Sequence, residues 1–479
     1  MAITIFNFPT GAVRALASLA FLAVAGCTVG PDYDRPHIAT VAAWVAPRPH
    51  DGEDTRLIGW WDRFGDPVLT ELQSHAENNS PTLEQAVARI DQARATLSSN
   101  RAQGMPNVAG TGSYTAAGEM VETNGGQQAA WSDGGLYGAD ASWEIDLFGK
   151  VRRNTEAARA RIGARVDDWH DARVSLAAEV ADYYVQFRGC EQLAQLYRQQ
   201  AESQGETARL TRINADAGFT APADAELTDA TAASVSSTLT DQLAQCDLLV
   251  KSLTSLTGLE EAALREMLAP GSGVLPQPPV LKVNSVPAEL LRQRPDIASS
   301  ERELAAASAE IGAATADLYP SFTLGGSISA GVTTQWSFGP SISLPLFDGG
   351  RARAGVNSAN ATYDLQLGTY REVVRAAVLE VEQALVRLDS ARARDADAAR
   401  AAQGYQANFL AIERLREAGS TSMIERESAR RNALDAERTL LDLRMTQIRY
   451  WIALYKALGG GWEPEGVTTP QSSIGARQP

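Results

Sequence analysis

The chain repeats itself. Phe148 and Phe347 stand 199 residues apart in the segments "ASWEIDLFGKVRR" and "SISLPLFDGGRAR". Glu179 in "AAEV" answers Glu380 in "VLEV" 201 residues on, and Gly218 in "DAGFT" answers Gly419 in "EAGST" at the same spacing. A colinear series of this kind means two copies of one supersecondary unit. The copies fall at about 57–258 and about 287–459, and each reads helix, hairpin, very long helix, tight turn, long helix. No linker rich in Pro, Gly and Ser cleanly divides the chain.

The hairpins occupy about 106–147 and 320–347, opened by Pro106 and Pro320. Tyr137, Ala139, Ala141, Trp143, Ile145 and Leu147 alternate with Gly138, Asp140, Ser142, Glu144 and Asp146. Phe322, Leu324, Ile328, Ala330 and Val332 alternate with Ser321, Thr323, Ser327 and Ser329. Trp336, Phe338, Ile342, Leu344 and Leu346 alternate with serines and Gly339, and Val108, Tyr114, Ala116 and Met120 form a weaker set. Period two sends such sets to opposite faces. Each run is expected to have the ~9–11 residues of a tilted membrane strand. The polar set, with Asp140, Glu144 and Asp146, suits water.

The segment from Val151 to Asp216 contains no proline. Its apolar seam, Ile162, Val166, Trp169, Leu176, Val180, Tyr183, Phe187 and Cys190, follows the 4-3 spacing of a coiled coil, with Arg173 the one polar position. At ~1.5 Å per residue such a helix reaches about 100 Å. Leu239, Leu243, Cys246, Val250 and Leu253 repeat the spacing on the return. Val374, Val378, Val381, Leu385 and Leu388, then Leu441, Met445, Ile448, Ile452 and Tyr455, do so in the second copy.

At the turns, Gly218 and Gly419 suit the positive φ that closes a helix. Thr220 and Thr421 are expected to cap the returning helices. Asp216 and Glu417 precede the glycines, where the helix dipole disfavours negative charge. Together with Arg416 they mark the tips as candidate functional positions. Cys190 and Cys246 are equidistant along the chain from Gly218, on opposite arms of one hairpin. They are expected to face each other, bonded in an oxidising compartment or packed as buried thiols.

Residues 1–26 read as a targeting signal: Arg14, a short apolar core, then Val24-Ala25-Gly26-Cys27. The box is that of a bacterial lipoprotein, with lipid attached to Cys27, and Thr28 after it suits outer-membrane sorting. Later in the chain no apolar run of ~18 residues occurs, so a membrane crossing must use strands. The net charge of -15 offers no basic stripe for nucleic acid. His37, His50, His75 and His170 are scattered, and no HExxH, GxSxG or phosphate loop is present. No catalytic residue, metal site or cofactor is expected, apart from the covalent lipid.

Six segments in order carry a family likeness: "CTVGPDYDRP" (27–36), "WWDRFGDPVLTEL" (60–72), "ASWEIDLFGKVRR" (141–153), "LLRQRPDIASSERELAAASAEIGAATADLYPSFTL" (290–324), "WSFGPSISLPLFDGGR" (336–351) and "LYKALGGGW" (454–462). With them the sequence resembles the TolC-like outer-membrane efflux family, in its OprM/NodT-type lipoprotein branch. The resemblance implies a homotrimer, mainly α with a twelve-stranded membrane β-barrel and a twelve-helix periplasmic tunnel. It implies a belt from about 27–56, 259–286 and 459–479, a periplasmic adaptor protein and an inner-membrane pump as partners, and outer-membrane lipid around the barrel. Adaptor contact and the closed end of the tunnel would map to 212–224 and 414–425. Many relatives carry an Asp where this chain has Thr421, so an acidic ring would come from Glu417, Asp216 or Glu425.

The function expected is an exit channel that passes small molecules by gated passive diffusion. A duct for protein or other cargo and a non-channel coiled-coil lipoprotein are the alternatives. Paired membrane-type strands argue against the last.

Overall fold

The computed structural model describes residues 28–36, 45–46, 60–123, 126–278, 293–331 and 333–462. The signal segment and Cys27 lie outside them, as does Val332. In chain order the elements are α1 (Pro67–Asn79), α2 (Pro81–Ala102), β1 (Asn107–Thr123), β2 (Gly126–Ile145), α3 (Lys150–Asp216), α4 (Pro222–Thr257), α5 (Glu261–Leu268), α6 (Pro295–Ala316), β3 (Ser321–Ala330), β4 (Thr334–Ser343), α7 (Arg351–Glu417) and α8 (Met423–Ala457). None of the described helices is long and apolar enough to cross a membrane.

The repeat is metrically close. The long helices α3 and α7 have 67 residues each, and their first residues, Lys150 and Arg351, keep the spacing of the tip glycines. Pro81 and Pro295, which open α2 and α6, lie farther apart than that, so the intervening hairpin is the longer one in the first copy. Strands β1 and β2 run for 17 and 20 residues, well past the length expected of them. Neither contains a proline, and their ladder continues unbroken from Asn107–Ser142 to Thr123–Gly126. Only Tyr137–Ile145 of β2 pairs with β3.

The described residues form two compact units: those within 28–36, 88–166 and 299–371 in one, and those within 45–87, 167–298 and 372–462 in the other. The first holds the four-stranded antiparallel sheet, in the order β1-β2-β3-β4. Each long helix starts with its first turn capped by an aspartate. Asp146 accepts from the N–H groups of Val151 (3.2 Å) and Arg152 (3.0 Å), and Asp348 from those of Gly350 (2.9 Å) and Ala352 (2.8 Å). The expectation that Asp146 lines the polar strand face is corrected here, because orphan amides at the helix start claim its carboxylate. Those amides likewise hold the Asp348 carboxyl below its usual range.

Residues 28–36 belong to this unit and lie against the foot of the strands. The Val29 N–H donates to the Phe148 carbonyl (3.2 Å). The buried Arg153 guanidinium donates to the Val29 carbonyl (3.2 Å) and pairs with Asp32 (2.8 Å). A Cβ on Gly30 would sit 2.3 Å from the Gly312 Cα, so only glycine allows that approach. The segment expected to join the belt thus divides, since Val45 and Ala46 lie in the second unit and donate to Glu382 (2.8 Å each).

The second unit carries the main core. Trp60 stacks on Tyr455 at 4.6 Å, and Leu69, Leu72, Tyr184, Leu253, Leu264 and Leu385 close around it. The seam residues Val180, Phe187, Cys190, Val250, Leu253, Val381, Leu385, Leu388, Ile448 and Ile452 are buried as their spacing predicts, whereas Leu243 remains exposed. The helices lie side by side in the order α4-α3-α8-α7. Cys190 and Cys246 join α4 to α3, Asp182–Arg449 (2.6 Å) joins α3 to α8, and Arg426–Glu413 (2.6 Å) joins α8 to α7. Residues 261–278 are held by Arg188, which is fully buried and donates to the carbonyls of Leu268 (2.8 Å) and Pro270 (2.6 Å).

Candidate functional site: the strand faces and the hairpin tips

The sheet has one apolar face and one polar face. Directly opposed residues share a face in an antiparallel ladder. Across β2, β3 and β4 the rungs Ile145–Phe322–Ile342, Trp143–Leu324–Pro340 and Ala139–Ile328–Trp336 are apolar throughout. Trp336 is 78% exposed and Phe338 71%, so this face lacks a cover among the described residues. From Ile145 to the rung of Gly135 and Tyr114, ten residues at ~3.3 Å and a tilt of ~40° give about 25 Å. That is the height of the apolar band of an outer-membrane barrel. Tyr137, Tyr114 and Trp336 lie along its upper rungs as an aromatic girdle would. Just past them Asp133 accepts from the Tyr114 hydroxyl at 2.7 Å.

The other face carries Asp140–Ser327–Ser337 and Glu144–Thr323–Ser341. None of the four described strands contains a lysine or arginine.

Both tips close in the same way. Gly218 (φ 76) and Gly419 (φ 73) are left-handed. The Phe219 N–H reaches the Asn214 carbonyl at 2.8 Å, and that of Ser420 reaches Leu415 at 2.8 Å. This is the Schellman closure that needs a residue at positive φ. Asp216 and Glu417 are the last residues of α3 and α7, exposed as expected of charges at that end.

Thr220 and Thr421 do not cap. Ala221 holds the N-cap of α4, because Pro222 occupies the first helical position and demands an extended residue before it. Ser422 caps α8, accepting from the Glu425 N–H at 3.1 Å. The Thr421 hydroxyl instead donates to the Glu425 carboxylate. Arg416 lies against the Met423 sulfur (Nε–Sδ 3.0 Å).

The structure adds contacts that the sequence did not point to. Arg212 pairs with Glu226 (2.9 Å) and Asp229 within the first hairpin. In the second, Arg426 pairs with Glu413 (2.6 Å) and Glu427, and the Phe409 ring lies between Arg426 and Arg430, each 5.8 Å from its centroid. The Thr207 hydroxyl donates to Glu427 at 2.8 Å and ties the two hairpins together. Aligning the repeats on their tip glycines would have exposed Arg212 and Glu413 as a reversed pair.

Cys190 and Cys246 form a disulfide, with Cα atoms 5.6 Å apart. Cys190 is buried on the α3–α4 seam. The corresponding position of α7 is Ala391, so only the first hairpin carries this staple.

A model of the outer membrane efflux protein family matches residues 72–259 and 286–460. The chain belongs to that family. It is 30% identical over 462 residues to nodulation protein T of Rhizobium leguminosarum bv. trifolii, covering 92% of this chain and 96% of the relative. It is 30% identical over 490 residues to the toluene efflux pump outer membrane protein TtgC of Pseudomonas putida, covering 97% and 99%. The solved outer-membrane channel OprN superposes with a TM-score of 0.80 at 31% identity, covering 91% of this chain and all of that one. The chain is therefore an outer-membrane efflux channel with the mainly helical tunnel and barrel of this family. Its relatives are channel proteins, and the spacer reading gives way to the duct.

Proposed function

We propose that the chain is one third of a homotrimeric exit duct for small organic solutes, anchored by lipid on Cys27 and served by a periplasmic adaptor and an inner-membrane pump. The carrying observation is that both layers of the chain end in open flanks. The sheet stops at β1 and β4. A bilayer leaves no backbone group unsatisfied and the smallest membrane barrels have ~8 strands, so four strands close only with other copies. Three copies give twelve.

The helices repeat the pattern. On the flank helix α7, Leu365, Leu379 and Val386 are exposed at whole-heptad spacings, and on the opposite flank, α4, so are Leu227 and Leu248. Whole heptads place such residues in one stripe that seeks a second helix. A closed ring of hairpins results, with the tips as its mouth. The contact from Thr207 to Glu427 spans the two hairpins of a chain, so an iris-like opening separates groups of this kind. Solute then passes by diffusion and no bond is made or broken. The name of the Pseudomonas relative supports small apolar cargo.

The test uses a strain deleted for this chain and proficient in its pump and adaptor. Wild type restores export of a fluorescent dye. Replacement of both tip glycines by valine, which forces ~1–2 kcal/mol of left-handed strain at each tip, and Cys27→Ser, which removes acylation, each reduce it. Full export by the glycine variant contradicts the role of the tips, and normal palmitate labelling of Cys27→Ser contradicts the anchor.

A further inference from the structure

We propose that the second unit carries a binding groove for a polysaccharide of N-acetylated, β-linked sugars, the polymer class of the cell wall that shares its compartment. Two cavities of about 880 and 340 Å³ lie on α3 beside residues 272–278 and share Gln195, Gln199 and Gly273. The larger continues between α3 and α8. Neither helix is a flank of the α4-α3-α8-α7 layer, so closure of a trimer leaves the groove open. Residues 261–278 lie across the same side, and a bore must stay clear of such a stretch. The groove therefore faces outward, into the periplasm.

Its chemistry selects a sugar. The floor is apolar: Leu275, Ile448 and Trp451. The walls present the amides of Gln195, Gln277 and Gln447, none of which is bonded to another described residue. An amide both donates and accepts, which matches vicinal hydroxyls and acetamide groups, while the exposed Val274 side chain offers the C–H face of a pyranose one apolar contact. Phosphate fits poorly. Among the described lining residues Arg444 is the one cation of the larger cavity and stands 3.5 Å from Asp395, with Glu437 nearby, and Arg198 of the smaller shares its lining with Glu191 and Glu202. A docking protein helix fits poorly as well. The floor side chains are at most 9% exposed, and Val274 is the one exposed large apolar residue among the described lining residues, short of the cluster of anchors such an interface needs. The groove is also built: Gln192 donates to the Gly273 carbonyl at 2.6 Å, and Glu191 accepts from Ser272 (2.7 Å) and the Gly273 N–H (3.2 Å), fixing the rim.

The inference rests on the periplasmic placement of this unit. The purified full-length mature protein in mild detergent is sedimented with purified peptidoglycan sacculi and titrated with chitotetraose. Wild type co-sediments and binds the tetrasaccharide. A Gln195→Ala, Gln277→Ala, Gln447→Ala variant loses at least ~tenfold in affinity for both, the loss of two or three net hydrogen bonds, and keeps its helical circular dichroism. No binding by wild type overturns the proposal, as does undiminished binding by the variant. Dye export by the same variant is read separately and stays at the wild-type level, so failure of the groove and failure of the duct are distinguishable.

Discussion

Arg212 and Glu413 stand 201 residues apart at the same place in the two repeats and carry opposite charge. Their partners follow suit. Arg212 binds the acids Glu226 and Asp229 of its own hairpin, while Glu413 binds Arg426 of the other. Position 229 is an aspartate and its counterpart, 430, an arginine. The hairpins share one backbone design and reverse charge at these two positions, whereas Glu226 answers Glu427 with the same charge. The two sets are unequal in weight. Arg212 is partly exposed, where solvent screens an ion pair and it contributes little. Arg426 and Glu427 are mostly buried and Glu427 also holds Thr207.

The first prediction concerns that tie. Thr207→Val removes, and Glu427→Gln weakens to a neutral bond, the charge-assisted bond between hairpins, which typically contributes ~1.5–3 kcal/mol. Single-channel recordings in planar bilayers are expected to show a ~tenfold or greater rise in open probability for either variant. Arg212→Ala is expected to change it little. Equal effects of all three would contradict the assignment of the closing contact.

The disulfide acts on the first hairpin alone. It closes a loop of 56 residues, for which chain entropy gives about 4 kcal/mol. Reduction, or Cys190→Ala with Cys246→Ala, should speed hydrogen exchange of the amides in α3 and α4 near the staple. The amides of α7 and α8 around Ala391 serve as the internal control. Uniform acceleration of both hairpins would show that the staple supports the whole unit.

Charge on the polar strand face sets the selectivity of the bore. Asp140 and Glu144 are unopposed by any base in the four strands. Under a salt gradient the reversal potential should report preference for potassium over chloride, reduced at high ionic strength as screening shortens the reach of the carboxylates. Asp140→Asn with Glu144→Gln should move it towards zero. A preference that the double variant leaves intact would place the selectivity elsewhere.

Burial pushes the Asp171 carboxyl above the usual carboxylate range, Asp296 and Asp168 add to the shift, and Lys456 and Arg294 oppose it. A carboxyl raised in the folded state binds its proton more tightly there than in the unfolded chain. Its contribution to stability is present at acidic pH and is lost as pH rises through the folded value. Asp171→Asn should therefore raise the Tm at pH 7.5 and change it less at pH 4. A larger gain at pH 4 would reverse the assignment.

Much of this was legible from period and repeat. Alternation at period two gave the apolar and polar faces of β2, β3 and β4 within the ladder, because a sheet face is a local property of the strand, whereas Leu147, Leu344 and Leu346, read with those sets, lie past the strand ends. The 4-3 spacing gave the seams for the same reason, and the equal distances of Cys190 and Cys246 from Gly218 brought two cysteines together across one turn. What failed depended on a single hydrogen bond. Asp146 alternates like its luminal neighbours, yet its carboxylate is claimed by two amides of a helix start. Thr220 lies one residue outside a cap that Pro222 fixes at Ala221. The length of the first hairpin escaped because its glycines weaken the apolar alternation without ending the ladder. The link from Thr207 to Glu427 joins residues 220 apart, where no local period reaches.

The central claim is that one chain cannot line a pore and three can. The protein, extracted from outer membranes in mild detergent, is measured by light scattering with the detergent contribution subtracted. A chain of 51.1 kDa, less the segment before Cys27, should give a protein mass close to three times its own. A monomer in the same detergent that still conducts ions would contradict it, because four strands would then be closing a barrel alone.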